Sequence, residues 1–553
     1  MRIGTRGSAL ALYQANLVAD LLRTRCGLAC ELVILKTAGD VDQSRPVAEL
    51  GQVGVFVKEL ERALLAGEVD LAVHSLKDLP TDLPPGLVLA AQPERVDVHD
   101  LLLIHPGAFD EAAEHVPLRA GARVGTSSLR RRVQLLEVRP DLAIVPVRGN
   151  VPTRVDKART GELEAVVLAA AGVTRLGLDL TTLRPWPLPP DRFVPAPGQA
   201  ALGLEARADD ERLLRALAAA LHDPEVARAT AAERQLLHGL GAGCSVPLGA
   251  HALPGADGRL LLRAVLGPPG TPPRPRLRRA LVRALDPAAA AELALRVLDP
   301  PPGPLAGQAL DGKRVLLLRD PARGDELAEA LEALGAEARC RPATETRPLA
   351  DPGHVSQAVR DLPAGSWVLL ASPQAAQAFA AALDEPARAA LFHLRLGAVG
   401  PATARELAEA DLPLDLLARQ ADGAGLAEEL LAQGAPPPAV LLPAARLGRA
   451  ELGEALAAAG VRVERLALYA TEPRPPLTPG ELERVDALVV FAPSAARAAL
   501  EGVKLPPACA VVAIGPTTAA ELAFLGHPAR EVADTPTPAG VMAALARVLA
   551  HGA

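Results

Sequence analysis

The chain has 553 residues, half of them hydrophobic and only 2% aromatic, with a formal net charge of −7. One core cannot serve that length, so several aliphatic-cored domains are expected, and so mild a charge gives no whole-surface attraction for nucleic acid or an anionic membrane. No apolar run approaches the ~20 residues of a membrane span, and five scattered cysteines make no disulfide framework.

The opening MRIGTRGS has no apolar stretch of the kind a signal peptide needs, so a reduced, cytoplasmic protein is expected. Short apolar runs then alternate with amphipathic stretches. The pattern predicts a strand at Ile3–Thr5, a helix at Ser8–Arg23, a strand at Glu31–Lys36, a helix at Val55–Ala66 and a strand at Leu71–His74. It resumes with a strand at Arg123–Thr126, a helix from Leu129, a strand at Ala143–Val147, a helix from Val151 and a strand at Ala165–Leu168. Two such βα groups predict two α/β domains with mainly parallel sheets and a cleft between them. Residues 222–298 read instead as a helix, two or three strands and a helix, a small α+β domain.

Pro/Gly-rich DPPPGPLAGQALDG (299–312) reads as a linker. A strand at Arg314–Arg319 opens a second module that contains a duplication. AVGPATA (398–404) is echoed by AIGPTTA (513–519), and LLASP (369–373) by VFAPS (490–494). The period exceeds 100 residues, so the unit repeated is a whole α/β domain.

Several turns carry chemistry-bearing residues. Cys244, in GAGCSVP (241–247), has no second cysteine nearby, and is either an apolar filler or a point of covalent attachment. Lys77 and Asp78 follow a strand, and form either a solvated ion pair or a carboxylate held at a cleft mouth. VGTSSLRRR (124–132) runs from strand to helix start, with Ser128, Arg130 and Arg131. Helix N–H groups, a hydroxyl and guanidiniums make an anion site; the alternative is a helix cap with an exposed basic turn. Cations in a first helical turn oppose the helix dipole, so an anionic partner is expected there. Arg148 and Arg154 in RGNVPTR (148–154), Arg6 with Ser8, and Arg175 repeat the design, which implies a substrate with many acidic groups. No phosphate loop, dinucleotide fingerprint or metal cluster is evident, and Cys26 and Cys30 read as structural. In the second module Tyr469, Ser372, Ser494, Thr403, Thr517 and Thr518 could bind a polar ligand or cap helices.

Together RIGTRGSALAL (2–12), VFVKELE (55–61), VHSLKDLP (73–80), VGTSSLRR (124–131), RGNVPTR (148–154), APGQAALG (196–203) and GAGCSVPLG (241–249) resemble porphobilinogen deaminase, in the family's order across residues 1–298. The second module resembles uroporphyrinogen-III synthase through its doubled Gly-Pro-X-Thr turns, its Ser/Pro turns and LYATEP (468–473). The resemblance implies two-lobed, periplasmic-binding-protein-like α/β domains plus a small α+β domain, then a two-domain α/β module. The corresponding boundaries are 1–98 with 200–217, 99–199, and 218–298 for the deaminase, then 299–312 for the linker. For the synthase they are 313–345 with 475–553, and 346–474, joined by two strands.

By the same resemblance Cys244 carries one dipyrromethane cofactor through a thioether. Asp78 stabilises the pyrrole and azafulvene cations as ammonia leaves, and Lys77, Ser128, Arg130, Arg131 and Arg154 hold cofactor carboxylates. Arg6, Ser8, Arg148 and Arg175 bind porphobilinogen. Four porphobilinogens give hydroxymethylbilane, which the second module closes with inversion of the last ring to uroporphyrinogen III. Tyr469 and Thr518 are the candidates for positioning water loss, with no metal involved. The implied protein is a monomer that acts on small molecules. Glu49 and Val53 stand where the family commonly has lysines, and Ala200 where it usually has glycine. The rival readings are a deaminase with a degenerate, scaffolding second module, and a non-catalytic two-lobed protein that binds a small anion.

Overall fold

The computed structural model describes residues 1–35, 57–241, 246–268, 274–298, 310–320, 326–420, 422–448, 450–535 and 537–550. It divides into two compact units. The first comprises Met1–Asp299, Ala371–Pro373 and Arg395–Gly434, and the second comprises Pro300–Leu370, Gln374–Leu394 and Ala435–Ala553.

The first unit begins with β1 (Arg2–Arg6), β2 (Glu31–Leu35), β3 (Leu71–Ser75) and β4 (Leu87–Ala91). It continues with β5 (Asp100–Ile104), β6 (Arg123–Gly125), β7 (Ala143–Val145), β8 (Ala165–Ala169), β9 (Arg184–Leu188) and β10 (Leu202–Arg207). These strands build two sheets, ordered β2-β1-β3-β10-β4 and β7-β6-β8-β5-β9. Each has three parallel strands followed by one antiparallel strand, β10 or β5. Sequence periodicity found the three adjacent parallel strands of each sheet and missed β4, β5, β9 and β10.

Local chemistry sets the helix ends. Ser8, Ser128 and Asn150 each accept a backbone N–H at a helix start, the first-turn donor having no partner inside the helix. Helix Ala9–Cys26 stops where Gly27 takes φ +65°, left-handed backbone that glycine adopts without strain. Helix Lys58–Leu65 turns Leu60, Ala63 and Leu64 onto the first sheet, where Val69, Ala72 and Leu87 close the core. Each such fully buried leucine stabilises the fold by roughly 1.5–3 kcal/mol over an exposed one. The expected Val55–Ala66 helix starts inside the described residues at Lys58, and the last residue of the expected Glu31–Lys36 strand lies outside them.

Helices Pro224–Gly239 and Pro287–Leu298 flank an antiparallel sheet of β11 (Leu248–Pro254), β12 (Leu260–Leu266) and β13 (Arg278–Ala284), in that order.

In the second unit β14 (Arg314–Leu318) and β15 (Glu337–Cys340) open a sheet; β16 (Thr344–Pro348) and β17 (Trp367–Leu370) follow. The first unit holds β18 (Arg395–Ala398) parallel to β19 (Leu416–Leu417). Back in the second unit come β20 (Val440–Ala445), β21 (Val463–Pro473), β22 (Ala487–Val490), β23 (Ala510–Ala513) and β24 (Glu531–Val532). Strands β15-β14-β22-β23-β24 form one parallel sheet. Val315, Leu317, Val489 and Val512 pack on one face, and Leu316, Leu318, Leu488 and Val511 on the other. Burial of both faces explains why these strands read as unbroken apolar runs. β21 pairs antiparallel with β16 and parallel with β20.

Candidate active site

Parallel strands aim their C-terminal ends at one edge of a sheet, and the described candidates of the deaminase-like stretch lie at or after such ends. Arg6 ends β1 and Ser8 follows it, and Lys77 and Asp78 lie in the 3-10 turn Leu76–Asp78 after β3. Ser128, Arg130 and Arg131 follow β6, Arg148 and Arg154 follow β7, and Arg175 ends the helix after β8.

Arg130 and Arg131 are buried, 5% and 7% exposed, which excludes the alternative of an exposed basic turn. Their anionic partner is a residue that sequence reasoning missed, Asp100, which is wholly buried at the start of antiparallel β5. Arg130 Nη1 donates to Asp100 Oδ2 at 2.6 Å and to the Val194 carbonyl at 2.8 Å. Arg131 Nη2 and Nε donate to Asp100 Oδ1 at 2.6 and 3.1 Å, and its Nη1 to the Val167 carbonyl at 2.9 Å. Burial alone would raise the Asp100 carboxyl, but the two guanidiniums hold it below the ordinary carboxylate range. One carboxylate shared by two arginines leaves a net positive, rigid floor.

Lys77 stands beside this floor. Burial pushes its ammonium down to about 8; Asp78 opposes the fall, and Arg131 and Arg130 add to it. Lys77 Nζ reaches Gln199 Oε1 at 3.4 Å, and Gln199 Nε2 donates to Asp100 Oδ1 at 3.1 Å, so one amide ties the lysine to the floor. Asp78 itself is exposed to solvent. Arg154 is lowered by burial and by the charges of Arg131 and Arg148, and Asp78 opposes this. The structure therefore brings Lys77, Asp78, Arg130, Arg131, Arg148 and Arg154 into one electrostatic cluster. Arg154 is aimed by a bond from Nε to the Gly149 carbonyl (2.8 Å).

One buried donor in this cluster, Arg148 Nη2, has no hydrogen-bond partner among the described residues. A buried guanidinium N–H without an acceptor is costly, and an acidic ligand would supply one. Pyrroles that carry acetate and propionate groups, as a dipyrromethane does, have the acceptors such donors need.

The remaining candidates have other duties. Ser128 and Ser8 are helix caps, accepting from Arg131 N (3.4 Å) and Ala11 N (3.3 Å). Arg175 Nη2 donates to the Ala200 carbonyl at 2.9 Å. Cys244, Glu49 and Val53 lie outside the described residues. The helix leading toward Cys244 grips the site from behind. Its Arg234 donates to the carbonyls of Leu79 and Pro80 at 2.9 and 2.7 Å, just past Asp78, and its Glu233 takes both Arg95 and the Gly198 N–H. Neither residue was singled out from the sequence, where each reads as one more charge on a helix.

In the second module, Thr403 and Thr518 occupy the third positions of helices Pro401–Glu409 and Pro516–Phe524, and each is 3% exposed. Both helices start after an extended glycine, Gly400 or Gly515, with no side-chain cap. Thr517 and Ser494 are exposed, Ser372 is half-buried, and Tyr469 is 6% exposed on β21 opposite Pro348.

Residues 1–215 match the sequence model described as porphobilinogen deaminase, dipyromethane cofactor binding domain, and residues 227–299 match that of the porphobilinogen deaminase C-terminal domain. Residues 325–543 match that of uroporphyrinogen-III synthase HemD. A porphobilinogen deaminase of Roseiflexus sp. strain RS-1 is 49% identical over 268 residues, 48% of this chain and 85% of the relative. That of Syntrophus aciditrophicus is 44% identical over 302 residues, 54% of this chain and 95% of the relative. A uroporphyrinogen III synthase structure from the extreme thermophile Thermus thermophilus is 24% identical, covering 43% of this chain and 99% of that one, with a TM-score of 0.32.

Proposed function

The chain belongs to the porphobilinogen deaminase family and carries a uroporphyrinogen-III synthase domain after it, and from that premise we propose how its residues divide the work. The enzyme is bifunctional. Its first half joins four porphobilinogens into hydroxymethylbilane with release of ammonia, and its second closes that product with inversion of the last ring to uroporphyrinogen III. The cofactor of the first half is dipyrromethane.

In our reading Cys244 carries the cofactor, which when bound supplies the nucleophilic pyrrole end that the first substrate joins. Lys77, Arg130, Arg131 and Arg154 hold its carboxylates, with Ser128 presenting the helix start. Arg6, Ser8, Arg148 and Arg175 take the incoming porphobilinogen. Asp78 faces the positive charge that develops on a substrate ring as its aminomethyl C–N bond breaks, and it stabilises that charge through space. The observation that carries this reading is the cationic cluster gathered around one exposed carboxylate, Asp78. Each added ring brings two more carboxylates, so a net-positive site suits a polyanion that grows in place.

For the second half we propose that Tyr469 and Thr518 position the leaving hydroxyl, and that Ser372, Thr403, Ser494 and Thr517 hold the bilane. Holding the chain folded is the main contribution to rate. We also propose a cytoplasmic monomer without nucleic-acid or membrane partners.

The test is intact mass and peptide mapping of the purified protein, then isomer analysis after adding porphobilinogen. Two linked pyrrole units on the Cys244 peptide and type III product are expected. A bare Cys244 after incubation, with no bilane formed, would sink the assignment of Cys244. Type I product alone would favour a scaffolding second half.

A further inference from the structure

The three-stranded sheet β11-β12-β13 would expose β13 as an open edge, and inside the first unit that edge is taken. Leu414 bridges Val282 in parallel: its N–H donates to the Leu281 carbonyl at 2.8 Å, and its carbonyl accepts from Arg283 N at 2.8 Å. Leu414 belongs to the stretch that matches uroporphyrinogen-III synthase, whereas β13 belongs to the deaminase match.

The next residue, Asp415, has a side chain only 2% exposed. Its Oδ1 takes Arg259 Nη1 at 2.8 Å, and its Oδ2 takes Arg283 Nη2 at 2.6 Å and Leu396 N at 2.9 Å. A buried carboxylate is tolerated only when paired, and here both cations come from the deaminase half. Four further ties flank it. Arg296 donates to the Leu417 carbonyl (2.7 Å), and Arg405 to the Val297 carbonyl (3.2 Å). Arg263 meets Asp411 (2.6 Å), and Arg279 meets Glu409 (3.1 Å). Asp411 holds φ +61°, a left-handed conformation unusual for a residue with a Cβ.

An open edge pairs with whatever strand is offered, and strand addition is a common way to bind a peptide segment. We propose that the β13 edge with Arg259 and Arg283 is a docking surface whose occupant is residues 409–417 of the same chain. The linker at 299–312 is then a tether, and the deaminase and synthase halves stay joined through this dock when the tether is cut.

The test uses the full chain with a protease site inserted between residues 299 and 309, nicked after folding and passed over a sizing column at low concentration. The wild-type halves are expected to co-elute, and those of Asp415→Ala to separate. Arg259→Gln, which removes one of the two cations, replaces it if Asp415→Ala does not fold, and is expected to release the halves likewise. Hydrogen exchange of the intact wild-type chain is a second readout, with the Arg283 and Leu414 amides at least ~10-fold slower than an unpaired edge. Wild-type halves that part on nicking, halves that stay together in every variant, or an Arg283 amide exchanging as an open edge would each overturn the proposal. None of these readouts needs turnover, so they stand apart from the assignment of Cys244 and Asp78.

Discussion

In the first half of the chain arginines fill the strand-end turns; in the second half serines and threonines fill turns of the same kind. Arg130, Arg131, Arg148 and Arg154 meet around Lys77 and Asp78, with Asp100 as internal counter-charge. Thr403 and Thr518 sit on uncapped helix starts that present backbone N–H groups and a hydroxyl. Under the proposed roles the difference follows the chemistry. Building a polyanion one ring at a time needs fixed positive charge and one carboxylate to face developing cations. Closing a finished chain needs its ends held together, for which neutral donors suffice.

The sharpest way to break this comparison is Asp78→Ala. Bilane formation should fall by ~10²–10³-fold or more, the scale of losing a preorganised electrostatic contact in an active site. Cyclisation of supplied hydroxymethylbilane should be unchanged. Ordinary bilane turnover would remove Asp78 from the mechanism.

Asp100→Ala comes next. It strips the shared carboxylate from two buried arginines, so the first unit should lose about 3–5 kcal/mol in chemical denaturation. A loss under about 1 kcal/mol would mean that the arginines find other acceptors, and that the floor is not rigid.

Lys77 gives a pH test. Its folded value lies below that of the free side chain, so its charge is complete below about 8 and is lost as pH rises through 8. The proposed hold on the cofactor carboxylates should weaken over that window, so the rate of bilane formation should fall, and Lys77→Arg should push the alkaline limb upward by a unit or more. An unmoved limb would mean that another group titrates there. The second half supplies the contrast. Thr518→Val or Tyr469→Phe should slow cyclisation only about 5–10-fold, the value of one hydrogen bond, with bilane formation untouched. A thousand-fold loss would mean acid–base chemistry where positioning is inferred.

The sequence made Arg130 and Arg131 legible because strand, Ser-rich turn and helix follow one another in VGTSSLRR. Asp100 was not legible. Its role depends on β5 pairing antiparallel to β8, which sets a carboxylate thirty residues upstream beneath both arginines. Local periodicity reports neither strand direction nor sheet order. Glu233 and Arg234 were hidden for the same reason, since their partners Gly198, Leu79 and Pro80 are remote in sequence. The α/β pattern came through because it rests on short-range patterning. Leu414 on β13 did not, since an edge pairing between distant segments leaves no periodic trace.

The smallest predicted effect concerns Ala200, where the chain returns from the second sheet into β10. Gly198 and Ala200 both have φ +71°, left-handed backbone that glycine adopts freely and alanine only at a cost of about 1–2 kcal/mol. The strain is held by neighbours: the Ala200 carbonyl accepts from Arg175, and Gly198 N–H is taken by Glu233. Ala200→Gly removes that cost but frees the unfolded chain by about 0.4–1 kcal/mol, so the first unit should gain about 0.5–1 kcal/mol net. The gain should appear as a higher denaturation midpoint with Asp78 chemistry unchanged. A lower midpoint would mean that the alanine methyl, 6% exposed, contributes more packing than its backbone costs, and that this bend is a stiffened joint instead of a strained one.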